Sequence, residues 1–331
     1  MPGRRPMSLC VAVTAALTLL AGCGGEPAPA GGRPVAGASA PGFPLTVSNC
    51  GVETTYQHPP RRAVSLNQHA TEVMLALGLE KSMVGTGYLD DAILPEYRAA
   101  YDGIKVLSKE YPSFEAMLAV EPDLVYGGFS TTFDEKEGRS RAAFTKAGVN
   151  TRLNIEECAT GPVTMADMDK EIREVAKTFG VPQRAEQRIG ALHAVLDQVD
   201  AKLAGVEPVK LFVYDSGDKN AFTAGGRGIG NEMINRAGAV NLFADVDKAF
   251  GNVSFEQVAE RAPEVIVIYD YGDQPVADKK KFLLANPALK DVPAIRNQRF
   301  AVLPLSSTVL GVRVPGAVES LARQIHPERF R

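Results

Sequence analysis

Polar and aromatic side chains that could contact a ligand follow the predicted strands in both halves of the chain. In parallel α/β sheets, ligands bind beyond the carboxyl ends of the strands, so we expect these side chains to line a cleft. Aromatic rings and two arginines suit a bulky, polar, partly anionic ligand, although each candidate could instead be an ordinary exposed loop side chain. The candidates are Asn67, Gln68, His69, Tyr88, Asp90, Asp91, Tyr126 and Phe129, then Tyr214, Phe222, Arg227, Tyr269, Tyr271 and Arg313.

The motifs of common enzyme classes are missing from this sequence. It has no G-x-S-x-G elbow, no Walker loop and no H-E-x-x-H pair, and the glycine-rich stretch 225–230 does not fit G-x-G-x-x-G. We interpret that stretch as a mobile loop that brings backbone close to a ligand. The four histidines stand in unrelated contexts, whereas a metal site needs several convergent ligands, so His69 cannot hold a metal alone. Asp90 and Asp91 are adjacent, and adjacent side chains usually point apart. We therefore predict no catalytic residues, no metal site and no cofactor.

The N-terminus has the features of an export signal. Arg4 and Arg5 precede an apolar run from Leu9 to Leu20, which is too short to span a bilayer. Leu20-Ala21-Gly22-Cys23 looks like a bacterial lipobox with cleavage before Cys23. We expect a signal peptide over 1–22, lipid on Cys23, and a flexible tether over 23–45 that holds the protein on the outer face of the cytoplasmic membrane. The alternative is a soluble secreted protein cut near Ala30.

Composition and cysteine usage narrow the class of protein further. With 36 basic and 39 acidic residues among 331, and 45% hydrophobic residues, the chain is neither disordered nor a basic nucleic-acid binder. Once Cys23 is assigned to lipid, Cys50 and Cys158 remain in an oxidising compartment. We predict a disulfide between them, with two buried free thiols as the alternative.

One sequence unit occurs twice, 141 residues apart. Ser113-Phe114-Glu115 and Ser254-Phe255-Glu256 are each followed by six residues and then by Pro, an acid and two apolar residues. In each copy Ser caps a short helix, Glu lies in the first turn, Pro ends the helix, and a buried strand follows. The repeat is too long for a solenoid, so it indicates two homologous lobes.

Strands alternate with helices in both halves, which predicts parallel sheets. The predicted fold is α/β, with two small α/β sandwich lobes joined by one long helix. We place the N-terminal lobe at 46–162, the connecting helical segment at 163–205 and the C-terminal lobe at 206–331. The second stretch of the connector has apolar residues spaced by three and four over about 20 residues, or about 30 Å. Coiled-coil pairing is the alternative reading of that stretch.

The chain resembles the substrate-binding lipoproteins of ABC importers, in the rigid-helix group that carries ferric siderophores and cobalamin. The resemblance covers about residues 46–330 and includes the segments 64–72 (VSLNQHATE), 122–128 (PDLVYGG) and 311–313 (GVR).

This resemblance implies a monomer that captures a ferric siderophore between its lobes, with little closure, and delivers it to a permease and its ATPase. It also implies that Glu115 and Glu256 dock onto arginines of the permease, although helix-dipole complementarity would explain a single acid in a first turn. Cobalamin, haem or a deazaflavin-type cofactor precursor are alternative ligands, and a lipid-anchored enzyme on the same fold is a remote alternative.

Overall fold

The computed structural model describes residues 40–272 and 274–331. The predicted signal peptide, Cys23 and most of the predicted tether lie outside the described residues. The described residues belong to one compact unit. Phe43 and Leu45 are buried and Leu45 begins the first strand, so the folded body starts before the boundary expected at residue 46.

Both strands and helices recur along the whole described chain. The strands are β1 (Leu45–Asn49), β2 (Val52–Tyr56), β3 (Ala63–Leu66), β4 (Met83–Gly87), β5 (Val106–Ser108), β6 (Leu124–Gly127), β7 (Asn150–Leu153), β8 (Val209–Tyr214), β9 (Asn220–Ala224), β10 (Ala239–Asn241), β11 (Phe250–Ser254), β12 (Val265–Asp270) and β13 (Phe300–Pro304). The α-helices are α1 (Gln68–Ala76), α2 (Arg98–Tyr101), α3 (Phe114–Leu118), α4 (Arg141–Lys146), α5 (Met165–Thr178), α6 (Pro182–Leu203), α7 (Ile229–Arg236), α8 (Phe255–Arg261), α9 (Val276–Ala285), α10 (Pro293–Arg296) and α11 (Val314–Ile325).

The two lobes are built on sheets of matching topology. The N-terminal sheet has the order β5-β4-β3-β6-β7 and the C-terminal sheet the order β10-β8-β12-β13, and every pairing in both is parallel. Leaving out β5, each strand of one lobe has a counterpart at the same place in the other. The predicted parallel α/β class and the two-lobe architecture are therefore confirmed.

The repeated Ser-Phe-Glu units form equivalent helices in the two lobes. The Ser113 hydroxyl accepts a hydrogen bond from the amide of Ala116 at the start of α3, and Ser254 accepts one from Gln257 at the start of α8. Each helix leads into a central strand, β6 or β12, of its sheet. An N-cap of this kind satisfies an amide that the first helical turn leaves without a partner.

The connector consists of two helices, α5 and α6, separated at Gly180, which has φ of 70°. The 22 residues of α6 extend about 33 Å. Near its start, Arg184 donates to the carbonyls of Leu77 and Gly78 in the N-terminal lobe, and near its end Asp200 pairs with Arg236 in the C-terminal lobe. The connector therefore packs against both lobes, and its apolar stripe is part of the core.

Both faces of each sheet are covered by apolar packing. The largest buried cluster joins side chains of α5 and α6 to one face of each sheet. The opposite face of the N-terminal sheet has its own cluster around Phe144, and that of the C-terminal sheet has one around Phe212. Sheets covered on both faces leave only the strand ends and their loops for ligand contact.

Candidate ligand-binding cleft

A cluster of tyrosines lies where loops of the two lobes meet. The rings of Tyr88 and Tyr111, both in the N-terminal lobe, are 4.4 Å apart. Tyr271 follows β12 in the C-terminal lobe, makes a hydrogen-bonding contact with Tyr88, and is 39% exposed. These aromatic side chains from both lobes form an accessible surface for a flat or bulky ligand. Tyr111 is not among the candidates predicted from the sequence. The strand before it, β5, has only three residues, and so short a strand gives no clear sequence pattern.

The C-terminal lobe adds a second pair of aromatic rings. Phe222 on β9 and Phe250 on β11 stack at 5.7 Å, and both are half-buried. Phe250 also packs edge-on against Tyr269. The predicted candidate Phe222 is thus part of an aromatic pair, whereas its partner Phe250 was not predicted.

Carboxylates surround the tyrosine cluster. Besides burial, the charges of Asp90 and Glu110 raise the pKa of Tyr88. In the same way, burial and the charges of Asp90 and Asp215 raise the pKa of Tyr271. Burial, reinforced by Asp91 and Glu110, raises the pKa of Asp90 to about 6, so this side chain is mostly ionised at neutral pH. Burial also raises the pKa of Asp215, while the ammonium of Lys279 opposes that shift. On the other side of the cluster, the buried guanidinium of Arg139 lies 5.0 Å from the Tyr111 ring centroid and donates to the carbonyls of Thr131 and Thr132. Carboxylates therefore outnumber cations beside the tyrosines.

Asn67 and Gln68 support the cleft from below its surface, since both are fully buried. The Asn67 amide nitrogen donates to the Tyr111 hydroxyl at 3.0 Å, and its oxygen accepts from the Phe129 amide at 3.2 Å. Gln68 donates to Glu72 and accepts from the amide of Asp91. The two side chains hold loops in position, so the expectation that they line the cleft directly is wrong.

His69 lies buried between the two lobes, with its ring 4.8 Å from that of Phe129. A Cβ atom on Gly128 would fall 2.4 Å from its Nε2, and one on Gly311 would fall 3.0 Å from its Cβ. Glycine is therefore required on each side of this histidine. Burial lowers the pKa of His69, which keeps the imidazole neutral. No group of three potential metal ligands occurs in the described ranges, and His69 is not a surface ligand.

Tyr126, Tyr214 and Tyr269 correct the sequence-based prediction. All three side chains are at most 2% exposed. The Tyr126 hydroxyl donates to Glu171 on α5 at 2.6 Å, and the Tyr214 ring stacks on Phe282 of α9. Tyr126 and Tyr214 point towards covering helices, whereas Tyr269 contacts Phe250 and hydrogen-bonds with Thr308. All three belong to strands, while the cleft is lined from the loops beyond the strands. The sequence does not show whether a tyrosine near the end of a strand points into the core or towards the cleft.

The two arginines expected to face a ligand are instead paired within the protein. Arg313 makes a bidentate ion pair with the fully buried Glu72, with Nη2 to Oε1 at 2.6 Å, and also contacts Asp91. Arg227 pairs with Asp247 and donates to the carbonyl of Thr160. Since Glu72 belongs to the N-terminal lobe and Arg313 to the C-terminal lobe, this pair fastens the lobes together.

A second buried polar contact joins the lobes through the loop after β7. The Glu156 carboxylate accepts from the amides of Ile229 at 2.9 Å and Leu310 at 2.6 Å, both in the C-terminal lobe. Burial raises the pKa of Glu156 to about 7. Cys50 and Cys158 form a disulfide that ties this loop to the β1–β2 hairpin. No motif marked Glu156, because its role depends on amides more than 70 residues away.

The two repeated acids lie on the surface of their lobes. Glu115 and Glu256 are exposed in the first turns of α3 and α8. Hydrogen bonds from its own amide and from the Ser254 hydroxyl lower the pKa of Glu256. Both carboxylates are accessible to a partner, and their docking role stays a prediction.

Two lobes of matching topology, facing each other across an aromatic cleft, define a two-lobed ligand-binding protein. A family model described as periplasmic binding protein matches residues 64–306, and the chain belongs to this family. An uncharacterized ABC transporter substrate-binding lipoprotein of Bacillus subtilis is 24% identical over 87% of this chain and 88% of its own length. A vitamin B12-binding protein of Vibrio parahaemolyticus is 29% identical over 64% of this chain and 72% of its own length.

Solved structures share the same architecture. A periplasmic binding protein from Veillonella parvula has a TM-score of 0.79 and 30% identity, covering 86% of this chain and 97% of its own. An ABC-type Fe3+-hydroxamate transport system protein from Saccharomonospora viridis has a TM-score of 0.73 and 25% identity, covering 86% and 99%. The protein is therefore an extracytoplasmic substrate-binding protein of an ABC transporter, not an enzyme, and it carries a transported ligand rather than a cofactor. Within the described residues, no helix is both long and apolar enough to cross a bilayer.

Proposed function

We propose that this protein captures an uncharged or cationic ferric siderophore of the hydroxamate type between its lobes. The observation that carries the proposal is the tyrosine cluster of Tyr88, Tyr111 and Tyr271 among carboxylates, together with the internal pairing of Arg227 and Arg313. The partly anionic ligand expected from the sequence would have relied on those two arginines.

The chemistry of such a chelate suits this cleft. The hydroxamate oxygens already fill the coordination sphere of the iron, so the protein has only to supply hydrogen bonds and apolar surface. Tyrosine offers both in one side chain. A ferric tris-catecholate is anionic and would meet Asp90, Glu110 and Asp215, whereas the nearby guanidinium of Arg139 is buried behind Tyr111. The carboxylate side chains of haem would meet the same repulsion.

Cobalamin is the second candidate. Its corrin periphery consists mostly of uncharged amides, which an aromatic and hydroxyl-lined cleft can also accept. The similarity to the vitamin B12-binding protein of Vibrio parahaemolyticus supports this alternative. A deazaflavin-type precursor, which the resemblance in sequence also allows, has no comparable support from the cleft.

Replacing tyrosines tests which side chains contact the chelate. Tyr88→Ala and Tyr271→Ala each remove an aromatic face and should weaken binding of a ferric trihydroxamate about tenfold or more, a loss of about 1.4 kcal/mol. Tyr126→Phe is the matched control, because that ring is in the core and only the hydrogen bonds of its hydroxyl with Glu171 and Asn154 are lost. Isothermal titration measures all three variants. Equal affinities for the cleft variants and wild type would rule out this surface as the binding site.

For delivery, we propose that the loaded protein is anchored through lipid on Cys23, acts as a monomer, and docks onto its permease and ATPase through Glu115 and Glu256. The exposure of both carboxylates at equivalent positions of the two lobes supports this role.

The double variant Glu115→Gln/Glu256→Gln should bind chelate like wild type but lose most iron uptake in cells. Glu135→Gln/Glu207→Gln is a matched control, since it removes two exposed acids, one from each lobe, outside the repeated unit. Radiolabelled ferric-chelate uptake provides the measurement. Unchanged uptake by the first double variant, at equal protein levels, would refute the docking role.

A further inference from the structure

We propose that a second small-molecule site lies between the two lobes and the connecting helix, and that it takes a small carboxylic acid with an apolar body. A cavity of about 480 Å³ occupies this place. Its walls come from the N-terminal lobe, α6 and the C-terminal lobe, and they are mainly apolar: Leu94, Leu192, Val195, Leu303, Val312 and Ala317. Small-molecule pockets in proteins have volumes of about 300–1,000 Å³ and a similar apolar lining.

Arg188 on α6 supplies the charge in this cavity. Its side chain is half-buried, and within the described part of the chain it makes no hydrogen bond and no ion pair. Its contact is with the ring of Tyr97, 5.6 Å from the guanidinium. The Nε atom of Arg188 and the hydroxyl of Tyr97 are both buried without a partner. Of these two residues only Arg188 lines the cavity, so a ligand acceptor placed there would satisfy its buried Nε.

The remaining groups around the cavity favour an anion. Helix α11 begins at the cavity, where Pro315 and Gly316 form part of the wall, and its first turn contains no acidic residue. Among its first amides only that of Gly316 is available to a ligand, because Pro315 has no N–H, Val314 donates to the carbonyl of Gly311 and Ala317 donates to that of Arg313. Arg313 also lines the cavity but is neutralised by Glu72 and Asp91. Glu96 lines the edge and is exposed, and no ion pair joins it to Arg188 among the described residues.

This cavity is separate from the tyrosine-lined cleft. Along the loop after β4, Tyr88 contacts the other lobe at the cleft, Asp91 is held by Arg313, and Leu94 lines the cavity. The buried ion pair of Arg313 and Glu72 therefore stands between the two sites. A ligand in the cavity would contact both lobes and α6 without displacing a ligand from the cleft.

Octanoate is a suitable probe, with octanol and octylamine as uncharged and cationic comparisons. Isothermal titration of the purified mature protein should show saturable binding of octanoate and weaker or no binding of the other two. Arg188→Gln should weaken octanoate binding about tenfold or more, because a charge-assisted hydrogen bond is lost. Lys177→Gln is the control: it removes one positive charge from an exposed side chain of α5 that lies outside the cavity.

Gly316→Leu tests the position of the site independently of charge. A Cβ atom at Gly316 would meet nothing within 4 Å, so the larger side chain can enter the cavity without a backbone clash. This variant should abolish octanoate binding, while its thermal unfolding and its titration with ferric trihydroxamate stay like those of wild type. The proposal would be overturned if wild type did not bind octanoate. It would also be overturned if both Arg188→Gln and Gly316→Leu bound octanoate with the affinity of wild type.

Discussion

Asn67 has a backbone conformation that is rare for a residue with a side chain. Its φ is 73° and its ψ 154°, a region occupied almost only by glycine and costing about 1–3 kcal/mol elsewhere. The side chain is fully buried and holds Tyr111, Phe129 and Thr132 by hydrogen bonds. These hydrogen bonds keep Asn67 in its strained conformation, and they also hold Tyr111 in place in the cleft.

Two substitutions at Asn67 separate strain from positioning. Asn67→Gly removes the hydrogen bonds but also relieves the strain, so stability should change by less than about 1 kcal/mol while chelate affinity falls about tenfold. Asn67→Ala keeps the strain and loses the hydrogen bonds, so it should also lower the free energy of unfolding by about 2 kcal/mol or more. Urea unfolding and chelate titration measure the two effects. Wild-type affinity in Asn67→Gly would show that Asn67 does not position the cleft.

The role of a single residue was predictable where a local motif or the oxidising environment of the protein determines it. It was not predictable where tertiary contacts determine it. Ser113 and Ser254 cap helices as the repeated motif indicated, and Cys50 lies bonded to Cys158. Tyr126 lies near the end of β6 and Tyr88 directly follows β4, so their sequence positions are similar. Tyr126 is nevertheless buried in the core, whereas Tyr88 lies at the cleft. The side to which such a ring turns depends on helices that pack later, and local pattern does not contain that information.

At the scale of elements, a joint between the lobes forms where the loop after β7 contacts the start of α7 and the segment before α11. Glu156 accepts two amide hydrogen bonds across it, Asn154 donates to the carbonyl of Leu310 at 3.0 Å, and the Cys50–Cys158 disulfide restrains the same loop. On the other side of His69, Arg313 pairs with Glu72. Buried polar contacts on both sides oppose a large change in the angle between the lobes.

The joint predicts a specific dependence of stability on pH. The pKa of Glu156 is raised from 4.5 to about 7 in the folded state, so between these values the folded chain binds more protons at this site than the unfolded chain. The contribution of Glu156 is therefore fully present below about pH 4.5 and falls as pH rises towards 7, by at most about 1.4 kcal/mol per pH unit.

Glu156→Gln removes this titration. Urea unfolding of wild type and variant at several pH values between about 5 and 8 gives the difference in their free energies of unfolding. That difference should shrink as pH rises to about 7 and then stay constant. Parallel stability curves over the whole range would contradict a raised pKa at Glu156.

Elements were predicted well where their pattern was local. The apolar runs at 63–66, 124–127 and 209–214 predict strands, and they match the bounds of β3, β6 and β8. The pattern predicts helices from Ala70 and Asn231, whereas α1 and α7 each begin two residues earlier. Gly180 and Pro182 interrupt the helical pattern of the connector, and the break between α5 and α6 lies there. The joint between the lobes was not foreseen, since Glu72 and Arg313 are 241 positions apart. Sequence periodicity contains no signal for such a pair.

At the scale of the whole molecule, duplication explains both the fold and the position of the cleft. Two sheets with the same strand order place their carboxyl-end loops against each other. The helix α6 packs on both lobes and fixes their separation. We therefore expect a ligand to bind to preformed aromatic surfaces, with little of its binding energy needed for rearrangement.

The measurement that tests this account most directly is a titration of the mature protein with chelates of different charge. A cationic or neutral ferric trihydroxamate should quench tyrosine fluorescence with 1:1 stoichiometry and an affinity of about 1 μM or tighter. A ferric tris-catecholate and haem should bind at least about tenfold more weakly, because the carboxylates around Tyr88 and Tyr271 repel them. Tight binding of the anionic chelates, or a response to cobalamin with none to any ferric hydroxamate, would contradict the proposed ligand class.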